Sequence, residues 1–190
     1  MPSNIEAIVN STFHKEEQSI LEKISDYLRL LFKWHDTHNI ISSSDIEYVI
    51  QREIYDSYEF SKLLTGRSIS DIGTGGGIPG IIIAILNPDV EVSLIDRKST
   101  FIDFLTIAKA ELNLKNVSVF KKDILEPNFC LNTDTVIMKN FSNKKIAFII
   151  PLLILIISDF FLGFSLINII VYISFILVVY IGTRIKKISL

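Results

Sequence analysis

Ser68-Ile69-Ser70-Asp71-Ile72-Gly73-Thr74-Gly75-Gly76-Gly77-Ile78-Pro79-Gly80-Ile81-Ile82-Ile83-Ala84-Ile85-Leu86 reads as a short strand that runs into glycines and opens an apolar helix. Five of the chain's eight glycines fall within residues 73–80. Glycine lets a backbone turn with positive φ and lets a ligand come close to it. Ser68–Ile72 is the strand. Residues 78–86 are the helix, and Pro79 is tolerated in its first turn.

Working outward from this unit, Asn87-Pro88-Asp89 is a turn, and Val90–Ile95 alternates as a second strand that ends on Asp96. Residues 99–113 carry Phe101, Phe104, Leu105 and Ala108 on one helical face. Val117–Phe120 is a third strand, and Thr135–Met138 is a fourth after a loop holding Pro127. The β-α-β-α-β order predicts an α/β, Rossmann-like parallel sheet with helices on both faces. Upstream, Ile20, Ile24, Tyr27, Leu28, Leu31 and Trp34 recur at helical spacing within an amphipathic helix over 15–34. Residues 35–43 are a polar break. Ser44-Asp45-Ile46-Glu47 fits a capping box with Ser44 as N-cap, and a second helix over 45–64 follows, ended by Gly66.

Crevices at the carboxyl ends of parallel strands are where nucleotide-like ligands bind. Asp96 lies 19 residues after Gly77, where a carboxylate can accept both ribose hydroxyls of an adenosine. Two ligand classes compete for the loop. A dinucleotide needs G-x-G-x-x-G, which Gly75, Gly77 and Gly80 satisfy only by starting late after the strand. The order Asp71-Ile72-Gly73-Thr74-Gly75 suits S-adenosylmethionine (SAM) better. SAM has no pyrophosphate and carries a sulfonium and an ammonium, so an acid beside the loop helps. A tight turn without a ligand is the third reading, and five glycines in eight residues argue against it.

Cys130 is the only cysteine, which excludes an internal disulfide and a cysteine-rich metal site. His14, His35 and His38 lack the clustered carboxylates a metal site needs. No basic segment followed by an apolar run marks a signal peptide at the N-terminus. Charge is unevenly spread. Residues 1–140 hold 14 Lys and Arg against 20 Asp and Glu, a balance of −6, whereas residues 141–190 hold five against one, a balance of +4. That break, with the high mean hydropathy of +0.42, divides the chain into a helical region 1–66, a ligand-binding core 67–140 and an apolar tail 141–190.

Asp71–Gly80, with its Ile78-Pro79-Gly80 ending, resembles the loop of the bacterial small-subunit ribosomal RNA guanine-N7 methyltransferase family, also called RsmG or glucose-inhibited division protein B. Phe32-Lys33-Trp34 with Asn39-Ile40, the pair Asp56-Ser57, and Leu112-Asn113-Leu114-Lys115-Asn116-Val117 are similar to further segments of that family. The resemblance covers about residues 15–139. It implies a SAM-dependent methyltransferase fold, SAM as cofactor, 16S ribosomal RNA or the small ribosomal subunit as partner, a monomer, and a cytoplasmic location.

Among the loop residues, Asp71, Gly73, Gly75, Gly77 and Ile78 would then bind SAM. Asp96 would hold the ribose, and Ile124 and Leu125 would lie along the adenine. Lys139 falls where the family has an arginine, so planar stacking and forked hydrogen bonds are given up. Glu53 stands where the family has a histidine. The resemblance implies no general base, because guanine N7 has a lone pair and no proton to lose, and positioning supplies the acceleration. Lys121, Lys122 and Lys139 could hold RNA phosphates or be ordinary surface lysines. The acidic balance of 1–140 does not itself advertise nucleic acid.

Residues 146–182 contain one charge, Asp159, in 37 residues. Two halves of about 17–18 residues flanked by Lys144-Lys145 and by Arg184, Lys186 and Lys187 suit a pair of transmembrane helices with both ends on the basic side. The alternative is buried core replacing the strands that such a fold has after its fourth. The tail also resembles part of a bacterial multi-span membrane protein family, which would join a shortened methyltransferase to a membrane segment by fusion, frameshift or misassembly. Two functions therefore stand beside each other: an rRNA guanine-N7 methyltransferase, or an inactive membrane-tethered SAM-binding remnant. A nucleotide-dependent oxidoreductase is disfavoured by the glycine order.

Overall fold

The structure, a computed structural model, describes residues 4–124 and 131–139. They belong to the first of the chain's two units, Met1–Phe141. The expected hydrophobic helix pair over 146–182 and the position of Leu125 lie outside the described residues. Among the described residues, no helix is long and apolar enough to cross a membrane.

Four parallel strands, β1 (Ser68–Ile72), β2 (Glu91–Asp96), β3 (Val117–Lys121) and β4 (Thr135–Ile137), form a sheet in the order β3-β2-β1-β4. The α/β fold expected from the sequence is therefore present. In register, Ile69 lies beside Val92 and Thr135, and Asp71 beside Leu94 and Ile137. From β1 the chain moves out to β2 and β3 and then returns to β1's other side with β4. A reversal of this kind opens a crevice at the carboxyl ends of the strands, and β1 ends there.

Helices α5 (Gly80–Leu86) and α6 (Ser99–Glu111) connect β1 to β2 and β2 to β3. Both crossovers run the same way across the sheet, so right-handed connections put both helices on one face. The described crossovers thus supply helices to one face, where the sequence predicted two. Ile81, Ile82 and Ile83 of α5 and Phe104, Leu105 and Ala108 of α6 are buried in the core with Ile69, Val92 and Leu94.

The N-terminal region adds α1 (Ile5–Thr12), α2 (Gln18–His38), a three-residue helix α3 (Ile46–Tyr48), a π-helix over Val49–Ile54 and α4 (Tyr55–Ser61). Helix α2 buries Ile24, Tyr27, Leu28 and Leu31 of the predicted apolar stripe and, beside them, Leu21, while Ile20 and Trp34 are partly buried; it packs against α5 and α6. Trp34 meets Phe104 of α6 edge-on, with ring centroids 5.7 Å apart.

Three local expectations are corrected. The polar break at 35–43 begins later, because α2 continues to His38 and closes on Asn39 at φ 51°. Asparagine tolerates that left-handed conformation. His35 is buried: its Nδ1 accepts from Ile41 N–H at 3.3 Å, and its Nε2 lies 2.9 Å from Ser44 Oγ. With Ser44 so occupied, Asp45 is the N-cap, its carboxylate accepting from Tyr48 N–H at 3.1 Å. The single helix expected over 45–64 is instead α3, the π-helix and α4 in series, ending at Ser61.

Candidate functional site

The glycine loop leaves β1 at Ile72 and crosses over the end of β2. Gly73 N–H and Thr74 N–H both donate to the Ile95 carbonyl, at 2.8 and 3.2 Å. Gly73, Gly75 and Gly77 have φ of 68°, 56° and 91°, the region where a side chain brings strain. Gly73 is exposed and Gly75 half-buried. Among the described residues, a Cβ on Gly75 would meet nothing within 4 Å, so its backbone borders open space there. At Gly77 a Cβ would come within 2.6 Å of Ile81 and 2.9 Å of Leu105. Gly75 therefore leaves room on the crevice side, and Gly77 permits close packing on the helix side.

Asp71 is fully buried under the loop. Its Oδ2 accepts from Thr74 Oγ at 2.7 Å and from Gly80 N–H at 3.0 Å, tying the start of the loop to its end. Its Oδ1 is buried without a partner among the described residues. Burial pushes this carboxyl up to about 6, against the opposing pull of the Thr74 and Gly80 bonds and of Lys139. At the end of β2, Asp96 accepts from Gly75 N–H through Oδ2 and from Lys98 N–H through Oδ1, each at 3.0 Å. Each carboxylate oxygen keeps a further lone pair.

The loop is also held from below. Tyr27, buried on α2, donates its hydroxyl to the Gly76 carbonyl at 2.7 Å. Burial raises the phenol well above its ordinary value, with Glu53 and Asp71 adding to the rise. A Cβ on Gly76 would lie 3.0 Å from Leu31 and 3.2 Å from Ile41, so α2 and the segment after it seat the loop closely.

Six of the expected site residues, Asp71, Gly73, Gly75, Gly77, Ile78 and Asp96, gather around this loop and the adjoining end of β2. Ile124 is half-buried just beyond β3. Lys139 follows β4, and its ammonium lies 3.3 Å from a Glu53 carboxylate oxygen. Lys121 donates to Ser99 Oγ at 2.6 Å, and Lys122 lies over the Phe120 ring. Among the described residues, no group of three or more His, Cys, Asp or Glu is placed to hold a metal ion. Sequence reasoning missed the part played by Tyr27, which reads as one more apolar helix position, and the pairing of Glu53 with Lys139 across 86 residues.

A family described as rRNA small subunit methyltransferase G matches residues 20–155. A second family, of unknown function, matches residues 138–190. Three similar curated proteins all bear the name ribosomal RNA small subunit methyltransferase G. The one from Legionella pneumophila (strain Lens) is 36% identical over 127 residues, 67% of this chain and 61% of that protein. The one from Hydrogenovibrio crunogenus is 44% identical over 97 residues, 51% of this chain and 45% of that protein. The one from Francisella tularensis subsp. novicida is 37% identical over 120 residues, 62% of this chain and 57% of that protein. The chain thus spans about three fifths or less of the length of the curated relatives it matches. A solved structure of coclaurine N-methyltransferase aligns with 68% of this chain and 37% of its own, at 14% identity and a TM-score of 0.44. With a family match over residues 20–155, the chain belongs to the rRNA small subunit methyltransferase G family.

Proposed function

We propose that this chain binds SAM at the Asp71–Gly80 loop and carries its methyl group to guanine N7 of small-subunit ribosomal RNA. The observation that carries the reading is the loop itself: open space beside Gly75, with Asp96 holding Gly75 N–H and Asp71 tying the loop's two ends. The residues present fit the cofactor. The unpartnered, buried Oδ1 of Asp71 is an acceptor suited to an ammonium group nearby. Asp96 has lone pairs left for ribose hydroxyls. Ile78 and Ile124 offer apolar surface for an adenine, and Lys139 is a cation for a carboxylate. When bound, SAM supplies a methyl group on a sulfonium, which leaves a neutral thioether on transfer.

The protein's own task is then to hold and orient. Gly73 and Gly75 let the backbone approach, Asp71 and Tyr27 fix the loop's shape, and the acceptor base must be brought into line. Guanine N7 attacks with its own lone pair, so no side chain removes a proton. Orientation accounts for the rate gain. The finer parts of the proposal are division at about residues 66 and 140, a cytoplasmic monomer, and contact of residues 146–182 with a membrane. The sequence and the family resemblance support them.

Calorimetry of the full chain with SAM tests the loop, with Asp96→Ala as its control. Binding that is lost in Asp96→Ala is expected, and absence of binding by the unaltered chain contradicts the proposal. Methylation of small-subunit RNA tests the reaction. SAM binding without transfer would favour the inactive remnant.

A further inference from the structure

The π-helix over Val49–Ile54 carries one acidic side chain, Glu53, and three polar side chains hold that residue in place. Ser57 Oγ donates to its backbone carbonyl at 2.6 Å. Ser42 Oγ donates to Oε1 at 3.2 Å. Lys139 Nζ donates to Oε2 at 3.3 Å. The Glu53 side chain is 19% exposed, so it is largely withdrawn from water and yet reachable. π-Helical turns are rare and are frequent at functional sites.

The place of this carboxylate is defined by its neighbours. Ser42 follows Ile41, whose side chain packs against Gly76. Lys139 comes two residues after Ile137, which pairs in register with Asp71. Glu53 therefore stands at the carboxyl ends of β1 and β4, beside the cofactor loop, on the side where the strand order reverses. It lies outside the set of loop residues proposed to hold SAM.

We infer that Glu53 is a specificity-determining residue that reads the Watson–Crick edge of the acceptor guanine, its carboxylate accepting from N1–H and the N2 amino group. The inference rests on the guanine-N7 reading. A guanine that turns N7 toward a methyl donor presents N1 and N2 on the far side of the purine. A carboxylate is an acceptor only, and those two positions are adjacent donors. Adenine places an acceptor at N1 and has no N2 amino group, so the same carboxylate rejects it. Enzymes that act on single bases read them along this edge. Ser42 and Lys139 each use one lone pair of the carboxylate, which leaves others for the base, and they keep it from swinging away.

The test uses the full chain and unmethylated small-subunit RNA. The methylated guanosine is located first, and the same RNA is then ligated with inosine at that position. Inosine keeps N7 and N1–H but lacks the N2 amino group. The unaltered chain should prefer guanosine by at least about tenfold in kcat/KM, since a site built to accept a hydrogen bond discriminates against a partner that lacks the donor. Glu53→Gln should lower kcat/KM on the guanosine RNA by a similar factor, through KM, and bring the guanosine-to-inosine ratio close to one. The guanosine-to-inosine ratio is the deciding readout, because Glu53 also pairs with Lys139, the cation proposed for SAM's carboxylate, and SAM affinity can shift with that pair.

Equal rates on guanosine and inosine RNA with the unaltered chain would overturn the inference and leave the guanine-N7 reading intact. That arm needs no variant. A Glu53→Gln chain that keeps the guanosine preference would also overturn it, because the residue would then be purely structural. Failure of the unaltered chain to methylate guanosine RNA would remove the guanine-N7 reading and the inference together.

Discussion

Tyr27 and Gly76 are 49 residues apart in sequence and meet in one buried hydrogen bond, phenol hydroxyl to peptide carbonyl, at 2.7 Å. The helical N-terminal region is therefore part of the glycine loop's foundation. Tyr27→Phe keeps the ring and leaves the Gly76 carbonyl buried without a donor, which costs about 1–3 kcal/mol. Chemical denaturation should show that loss, and calorimetry should show weaker SAM binding because the loop is no longer pinned. Unchanged stability and affinity would mean that the bond does not matter.

Gly75 and Gly80 should respond differently to the same methyl group. At Gly80 a Cβ would lie 2.3 Å from Leu94 Cδ2 and 2.8 Å from Asp71 Oδ2. Gly80→Ala should lose about 1–3 kcal/mol of stability through overpacking. At Gly75 the space is open and φ is 56°, so Gly75→Ala should lose about 1–2 kcal/mol from backbone strain alone. Its methyl group would enter the crevice, so its SAM affinity should fall by more than its stability explains. Thermal melts paired with calorimetry separate the two effects.

Asp71 gives a pH signature. Its folded value of about 6 lies above the ordinary 3.8 because burial disfavours the charge. Between those values the folded chain binds more protons than the unfolded one, so stability falls as pH rises through that window. That rise corresponds to about 3 kcal/mol. In Asp71→Asn the amide oxygen can accept from Thr74 and Gly80 while the amide nitrogen takes the place of the unpartnered oxygen. The stability difference between the variant and the unaltered chain should therefore grow in the variant's favour from pH 4 to pH 7 by roughly that amount. The same variant should bind SAM more weakly. A difference that does not vary with pH would show that Asp71 is not held in this way.

Much of the sheet is legible in the sequence because glycine and proline punctuate it. Ser68–Ile72 is the first strand as read, since the glycines that follow cannot extend it, and β2 and α6 agree with their readings to within one or two residues. The N-terminal region is less legible, because its ends depend on tertiary contacts. His35 reads as polar, yet its ring is buried and bonded to Ile41 and Ser44, which lengthens α2 and moves the cap to Asp45. A π-helix leaves no periodic trace in six residues. The loop's gathering of Asp71, the glycines and Asp96 could be anticipated from local order. The Tyr27–Gly76 and Glu53–Lys139 contacts bridge distant segments, and neither partner of either pair carries a local signal for the other.

The role proposed for the Asp71–Gly80 loop is to present a methyl group to guanine N7 of small-subunit RNA. The most direct measurement is mass spectrometry of nucleosides from unmethylated small ribosomal subunits incubated with the full chain and isotopically labelled SAM. Labelled 7-methylguanosine is expected, and it should be absent when Asp96→Ala replaces the unaltered chain. Label on any other nucleoside, or SAM binding with no label in the RNA, would contradict it.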